Sequence, residues 1–370
     1  MSAYLNWIAQ RKRTLRGADG KISYYARTPR ILILAVLISS RGDCIELASP
    51  FVEKLSLNVP LNLRETLFCG QAFRWQTLHS DSGEIYTAVV QNAFVALQMQ
   101  SSQLLIASSA PMIAQQPLTL FVDYYLGLSD NLQEVFSPSF QSRYPHLVAG
   151  AMPYFGLRLL RQAPFETLIS FMCAQGMGIA LIRRQVAQLA QRFGTPLAFS
   201  LPLRKPHSAS PSFFVIKDYT FPTPADLADA PLRQLRQCTN NNSRRAENIR
   251  RVAHAVADGS LNLNALAAPH ATLEHARNTL LQYDGIGDKI ADCICLFGLG
   301  HHDAFPIDTH VRQYLAQWFG LKTPTTSLSS RAYRTLADAA REILGTQYVG
   351  LAGQWLFHHW RRDIKKMRDY

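Results

Sequence analysis

Residues 281–297 read LQYDGIGDKIADCICLF, in which the end of one helix-like segment meets a glycine-rich turn and the start of a second helix. Gly285 and Gly287 flank a single apolar residue, Ile286, and glycine permits the positive φ angles that a tight turn needs. The segment after the turn is mostly apolar, which is typical of a buried helix. The sequence therefore predicts a helical hairpin whose second helix begins at an open turn.

Such a hairpin is suited to binding an anion. The first N–H groups of a helix have no partner inside it and carry partial positive charge, so they bind phosphate well. The chain also has a formal net charge of +12, which favours polyanions such as nucleic acid, with an anionic membrane surface as the second possibility. An ordinary helical hairpin capped by glycines would show the same local pattern.

Lys289 lies in the first turn of the second helix, where the helix dipole disfavours a cation. A neutral amine held there can attack an electrophilic sugar carbon and form a Schiff base. Further along, HDAFPIDTHV (302–311) places Asp308 after a proline and before a helical pattern, as expected of an N-cap. A carboxylate in that position can also stabilise positive charge on a sugar carbon. An exposed lysine and a merely capping aspartate are the alternatives without chemistry.

The organisation of the chain predicts an α+β fold. Residues 1–44 read as a basic, poorly ordered extension, and residues 45–148 as an N-terminal antiparallel β domain, because runs such as 85–100 are rich in Val, Tyr and Phe. Residues 149–365 show helical periodicity and predict a mostly α-helical domain. Within it, the Pro- and Ser-rich stretch 200–224 predicts an inserted loop or small hairpin.

The cysteine and hydropathy patterns argue against several classes of protein. The 6 cysteines form neither a CxxC pair nor an iron–sulfur spacing, so we expect neither metal nor cofactor. The most apolar run, Ile31 to Ile38, is shorter than the about 20 residues that span a bilayer, so no membrane partner is expected. Near the C-terminus, His358 and His359 predict a solvated helix end.

The run from Leu281 to Val311 resembles the helix-hairpin-helix DNA glycosylases, and GIGDKIADCICLF with FPIDTH is most similar to the 8-oxoguanine DNA glycosylase/AP lyase family of the HhH-GPD superfamily. Three other segments resemble that family: LRETLFCGQAFRW (63–75), APFETLISFMCAQGMGIALI (163–182) and YVGLAGQWLFHH (348–359). The resemblance covers roughly residues 55–365 and implies that the N-terminal β domain is TBP-like.

The resemblance implies a bifunctional DNA glycosylase/AP lyase that excises 8-oxoguanine, an oxidised purine, from duplex DNA in base excision repair. The enzyme would first flip the base, because a stacked base is unreachable. Lys289 would attack C1′, leading through a Schiff base to β-elimination, and Asp308 would support the oxocarbenium-like charge. Gly70 would offer its carbonyl to N7–H of the base, and Cys293 and Phe357 would sandwich the base.

The same resemblance implies the DNA contacts. Gly285 and Gly287, with Ile286 between them, would present backbone amides to a phosphate, and His310 would lie near the backbone. Arg245 would read the opposite cytosine. Met177 would act as a wedge in the gap left by the flipped base, since unstacking side chains can be apolar.

The chain departs from the family pattern at three points. The asparagine-rich turn of the family reads QGMGI here (175–179), and Leu181 stands where an arginine is expected. The pocket glutamine is replaced by Gly353, although Gln354 is adjacent and would serve if the register shifted by one. These departures leave the lesion spectrum and the opposite-base preference open.

Two other functions remain as alternatives: a monofunctional alkylbase or mismatch DNA glycosylase, and a non-catalytic helix-hairpin-helix DNA-binding module. The pairing of Lys289 with Asp308 disfavours both, because gripping a DNA backbone requires neither side chain. The expected partner is duplex DNA containing a damaged base, bound by a monomer. The expected location is the cytoplasm, near the nucleoid, in a bacterium, or the nucleus in a eukaryote.

Overall fold

The computed structural model describes residues 50–80, 83–203, 212–324 and 328–367, together with four short strands nearer the N-terminus. The chain divides into two compact units that interleave in sequence. The sheet unit comprises Met1–Ser56, Gln76–Thr119 and Thr195–Thr220, and the helical unit comprises Leu57–Trp75, Leu120–Gly194 and Phe221–Tyr370.

The sheet unit is built on a five-stranded antiparallel sheet with the strand order β5-β9-β8-β7-β6. A four-stranded sheet, β1 to β4, and the hairpins β10–β11 and β12–β13 also belong to this unit. The strands are β1 Arg13–Arg16, β2 Ile22–Tyr25, β3 Ala35–Ile38, β4 Cys44–Leu47, β5 Phe51–Ser56, β6 Gln76–Ser80, β7 Gly83–Val90, β8 Ala93–Gln100, β9 Gln103–Ser108, β10 Met112–Ile113, β11 Gln116–Pro117, β12 Pro196–Leu203 and β13 Ser212–Tyr219.

The helical unit packs its helices around one large apolar core. The helices are α1 Leu63–Phe68, α2 Leu118–Tyr125, α3 Pro138–Arg143, α4 Pro145–Ala151, α5 Pro164–Cys173, α6 Ile179–Phe193, α7 Pro224–Ala228, α8 Leu232–Cys238, α9 Ser243–Ala257, α10 Leu263–Leu266, α11 Leu273–Leu280, α12 Asp288–Gly298, α13 Thr309–Phe319, α14 Ser330–Leu344 and α15 Val349–His359. Short 3-10 turns lie at Leu132–Glu134 and Met152–Tyr154, and a π-helical turn, Trp360–Ile364, follows α15. None of the helices in the described ranges combines the length and apolarity needed to cross a membrane.

The α+β fold class predicted from the sequence is confirmed: an antiparallel sheet precedes a helical domain. Helices were expected at 179–194 and 243–259, and α6 and α9 occupy those stretches to within two residues. The segment 224–237, expected as one helix, is split into α7 and α8. Pro231 stands between them as the N-cap of α8, and a proline lacks the N–H that a continuous helix requires.

The domain boundaries differ from the sequential division predicted at residues 148 and 149. Phe136 and Leu147 are buried in the core of the helical unit, as is Phe73, so the segments around them fold with the helices. The stretch 200–224, expected as an inserted loop or small hairpin, contains most of the hairpin formed by β12 and β13, and this hairpin belongs to the sheet unit.

Phe199 of that hairpin stacks on Phe94 of β8, with ring centroids 4.5 Å apart, and both rings are buried. This aromatic contact packs the hairpin against the five-stranded sheet. The extension expected to be poorly ordered, residues 1–44, lies mostly outside the described residues, although strands β1 to β3 fall within it.

Candidate active site

The turn between α11 and α12 has the backbone expected of an anion-binding hairpin. Gly285 adopts a φ of +88°, which only glycine adopts without strain. Gly287 is the N-cap of α12 and supplies no side-chain hydrogen bond, so the first N–H groups of α12 have no capping partner. Ile286 is buried and anchors the turn in the core. The turn therefore presents unsatisfied backbone donors at a helix N-terminus.

Lys289 and Cys293 lie one helical turn apart on α12, so their side chains share a face. The Lys289 ammonium is 5.6 Å from the centroid of the Phe171 ring. Burial raises the pKa of the Cys293 thiol to about 11, although the positive charge of Lys289 offsets part of that rise. Cys293 is therefore a neutral, apolar wall at neutral pH, and Lys289 supplies the amine nitrogen on this face.

Asp308 occupies the N-cap of α13, where its Oδ1 accepts from the backbone N–H of Val311 over 2.8 Å. The capping role predicted from the sequence is confirmed. The preceding Ile307 is buried, and its backbone N–H donates to the Tyr333 hydroxyl over 2.9 Å. The carboxylate is thus held by the Val311 N–H and the segment before it by Tyr333, with one carboxylate oxygen left outside the cap.

A cavity of about 130 Å³ opens within the helical unit, and Lys289 and Asp308 both line it. Five other predicted site residues line the same cavity: Gly70, Met177, Cys293, Gln354 and Phe357. Gly285, Ile286, Gly287, His310 and Arg245 do not line this cavity. In the described part of the chain, no cluster of three or more His, Cys, Asp or Glu side chains could hold a metal ion.

The loop at Gly70 is fixed against α15. Gly70 has a φ of +91°, and the carbonyl of the preceding Cys69 accepts from Gln354 Nε2 over 2.8 Å. Gln71, which is buried, donates from Nε2 to the carbonyls of Thr66 and Arg158, each over 2.8 Å. That Gln71 holds this loop through hydrogen bonds was not predicted from the sequence. The signal was a glutamine in an otherwise apolar loop, which indicates a buried hydrogen-bonding side chain.

The glycine at position 353 of the pocket helix has a steric reason. A Cβ on Gly353 would lie 2.5 Å from the Phe305 ring, so no side chain fits there without movement of that ring. Gln354 is buried and lines the cavity instead. Phe305, a bulky residue of the FPID segment, therefore takes the space that a pocket side chain at 353 would need.

Three of the predicted DNA-contact residues are buried or half-buried: Arg245 is buried, and His310 and Met177 are half-buried. Burial lowers the pKa of His310, whose ring meets Phe357 edge-on at 6.2 Å between centroids. Arg245 is buried, and its guanidinium donates to the Gln175 carbonyl over 2.8 Å, which ties α9 to the turn after α5. Met177 of that turn is partly buried against the core. The proposed roles of these residues on DNA stay predictions.

A buried polar cluster joins α12 to α11 and α14. Arg277 Nε donates to Asp292 Oδ1 over 2.7 Å, and the Tyr333 hydroxyl donates to Asp292 Oδ2 over 2.9 Å. Asp292 is fully buried, and burial raises the pKa of its carboxyl while the two donors counteract that rise. This cluster was not predicted, because it joins three helices that are separate in sequence.

The expectation of a solvated helix end at His358 is wrong. His358 is buried, and its Nε2 lies 2.5 Å from Glu65 Oε2 of α1, while Tyr154 contacts the ring edge-on. His359 hydrogen-bonds Asp363 over 2.7 Å. The contact between His358 and Glu65 joins α15, which contains Phe357, to α1, which directly precedes the Gly70 loop.

Comparison with known proteins places both parts of the chain. Residues 54–168 match the model of the 8-oxoguanine DNA glycosylase N-terminal domain. Residues 169–338 match the model of the HhH-GPD superfamily base excision DNA repair protein. The two matches are contiguous, and together they span the Gly70 loop, the hairpin and Asp308.

Individual relatives agree with the family models. An N-glycosylase/DNA lyase of Saccharomyces cerevisiae is 30% identical over 165 residues, 42% of this chain and 40% of the relative. The N-glycosylase/DNA lyase OGG1 of Arabidopsis thaliana is 27% identical over 308 residues, 80% of this chain and 76% of the relative. The match thus spans less than half of the yeast relative and about three quarters of the plant one.

Solved structures share the fold. MBOgg1 in complex with a low-affinity DNA ligand is 26% identical, with a TM-score of 0.65 over 85% of this chain and 99% of that one. The 8-oxoguanine glycosylase/lyase of Clostridium acetobutylicum, solved with double-stranded DNA, has the same TM-score at 24% identity, over 85% of this chain and 98% of that one. The chain therefore belongs to the 8-oxoguanine DNA glycosylase family of the HhH-GPD superfamily.

Proposed function

We propose that this protein is a bifunctional DNA glycosylase/AP lyase that excises 8-oxoguanine from duplex DNA in base excision repair. The observation that carries the proposal is the shared cavity of Lys289 and Asp308, an amine and a carboxylate brought together from two separate helices. A hairpin that only grips DNA needs no such cavity. The names of the yeast and plant relatives support the same activity.

The chemistry follows from the groups that line the cavity. The lone pair of the Lys289 amine forms a bond to C1′, the bond from C1′ to the base breaks, and the base leaves with the electrons of that bond and takes up a proton. The Asp308 carboxylate stabilises the positive charge that develops at C1′. The nitrogen then loses a proton and forms a double bond to C1′, while the C1′–O4′ bond breaks and O4′ takes up a proton. The Schiff base formed in this way acidifies the C2′ proton. Its loss expels the 3′ phosphate by β-elimination.

The walls of the cavity suit a planar base. Cys293 and Phe357 both line it and offer an apolar thiol and an aromatic ring. Gln354 holds the carbonyl of Cys69, directly before Gly70, and so fixes the loop in which the Gly70 carbonyl would accept from the N7–H of 8-oxoguanine. Guanine carries no proton on N7, so a fixed acceptor at that point favours the oxidised base.

Binding to DNA rests on charge and on the open turn. The net charge of +12 attracts the phosphate backbone, and the uncapped N-terminus of α12 supplies donors for one phosphate. The neighbours solved with DNA support this partner. Every proposed catalytic residue lies in one helical unit of one chain, so we propose that a monomer acts on the damaged duplex.

Borohydride trapping tests the proposal. Reduction should join the wild-type protein covalently to duplex DNA containing 8-oxoguanine opposite cytosine, and Lys289→Gln should abolish the adduct while DNA binding persists. Lys322→Gln is the matched control, because Lys322 is exposed and lies outside the cavity. It should trap like the wild type.

Two outcomes would contradict the proposal. An adduct that survives in Lys289→Gln would show that another amine is the nucleophile. Release of an alkylated or mismatched base without any trapped adduct would instead support a monofunctional glycosylase. The fold alone permits that alternative, since the 3-methyladenine DNA glycosylase of Archaeoglobus fulgidus has a TM-score of 0.60 at 19% identity.

A further inference from the structure

Tyr314 is a cavity residue whose hydroxyl has no partner. It lies on α13, six residues after Asp308, and the two residues line the same cavity. Its side chain is fully buried, and its hydroxyl makes no hydrogen bond. A buried, unsatisfied hydroxyl is costly and rare in a folded protein. A hydroxyl with this property on the wall of a ligand cavity indicates a partner that arrives with the ligand.

The geometry of α13 directs this hydroxyl toward the reacting end of the cavity. Side chains on a helix lean toward its N-terminus, and the N-terminus of α13 is Asp308. The Tyr314 ring is held in place by stacking on Trp318, with centroids 5.1 Å apart, and by an edge contact with Trp360 at 6.4 Å. The ring therefore cannot easily swing away to find another partner.

The hydroxyl acts as a donor. Burial raises the pKa of Tyr314 well above its usual value, and the nearby charge of Asp308 raises it further. The phenol therefore keeps its proton at any physiological pH. A ligand that satisfies it must offer an acceptor, such as a carbonyl oxygen.

We propose that the Tyr314 hydroxyl donates a hydrogen bond to an exocyclic carbonyl oxygen of the flipped base and so helps to select the substrate. This inference rests on the proposed function. An oxidised guanine carries carbonyl oxygens at C6 and C8, and either oxygen can accept a hydrogen bond from the Tyr314 hydroxyl. An adenine-type base without a carbonyl leaves the hydroxyl unpaired, and a site with an unpaired buried group rejects such a base strongly.

The test separates contact with the base from the chemistry at the sugar. Tyr314→Phe removes only the hydroxyl. We expect it to slow single-turnover excision of 8-oxoguanine at least about tenfold, the order of magnitude of one lost hydrogen bond in a buried site. β-Elimination at a preformed abasic site, which contains no base, should change by less than about twofold. The thermal midpoint should not fall, because no protein hydrogen bond is lost.

Tyr333→Phe is the matched control, since its buried hydroxyl does bond to Asp292 within the protein. It should slow excision and β-elimination together. If Tyr314→Phe also slowed both reactions equally, or slowed neither, the hydroxyl would not contact the base and the inference would be wrong. If the wild type cleaved abasic sites but did not release 8-oxoguanine, the proposed function would be wrong. The reactions of the wild type alone would show this, before any variant is compared.

Discussion

The Tyr333 hydroxyl donates to Asp292 Oδ2 and accepts from the backbone N–H of Ile307, each over 2.9 Å. Asp292 lies three residues after Lys289 on α12, and Ile307 directly precedes Asp308. One buried hydroxyl therefore joins the helix of Lys289 to the segment that precedes Asp308. The relative position of these two groups depends on a residue that touches neither of them.

Tyr333→Phe should destabilise the fold and misplace Asp308. It leaves the Ile307 N–H and one Asp292 oxygen without a partner, which costs about 1–3 kcal/mol. Chemical denaturation would measure the loss. A normal free energy of unfolding would show that the hydroxyl is replaceable by water.

Asp308→Asn should separate the two roles of this residue. The amide oxygen of asparagine still accepts from the Val311 N–H, so the cap is kept. The negative charge is lost, and we expect the single-turnover excision rate to fall by a factor of about 10²–10³, as when one charge-stabilising group is removed. Asp308→Ala should add about 1 kcal/mol of destabilisation from the lost cap. Equal stability of the two variants would contradict the capping role.

The two hairpin glycines should respond differently to alanine. Gly287→Ala meets no atom within 4 Å and has a φ of −93°, so we expect a change in stability within about 0.5 kcal/mol. A methyl group there should still obstruct a phosphate at the helix N-terminus and weaken DNA binding at least about tenfold. Fluorescence anisotropy at fixed salt measures this binding.

Gly285→Ala is the contrasting variant. It places a Cβ 2.8 Å from Asn248 Nδ2 at a φ of +88°, so it should cost about 1–3 kcal/mol of stability. If Gly287→Ala bound DNA like the wild type, no phosphate would lie against this turn.

Gly353→Ala should strain the pocket helix, because the new methyl group would overlap the Phe305 ring. Overpacking of this kind costs about 1–3 kcal/mol. Adding Phe305→Leu should restore much of the lost stability, and a double-mutant cycle of thermal denaturation would measure the coupling. Additive effects of the two substitutions would show that the Phe305 ring does not exclude a side chain at position 353.

Acid should weaken the link between α1 and α15. Burial raises the pKa of Glu65, but the hydrogen bond and charge of His358 outweigh it and lower that pKa below its usual value of 4.5. A carboxylate with a depressed pKa contributes stability above pH 4.5, and this contribution is lost as pH falls through the folded-state value. Glu65→Gln should therefore flatten the decline of the thermal midpoint below pH 4.5. An unchanged pH profile would contradict this.

The sequence alone determined the local features of this protein. Glycine spacing and apolar periodicity predicted the hairpin and α12, and the proline before Asp308 with the helical pattern after it predicted a cap that the structure confirms. Such features depend on interactions within about one helical turn, so a short stretch of residues contains their causes.

Only the tertiary structure decided which distant residues meet. It brought Gly70, Lys289 and Phe357 to one cavity, placed the Phe305 ring where a side chain at 353 would lie, and buried His358 against Glu65. It also assembled each of the two units from segments that are remote in sequence. These outcomes depend on volume and hydrogen-bond matching between side chains far apart in the chain, which no local pattern encodes.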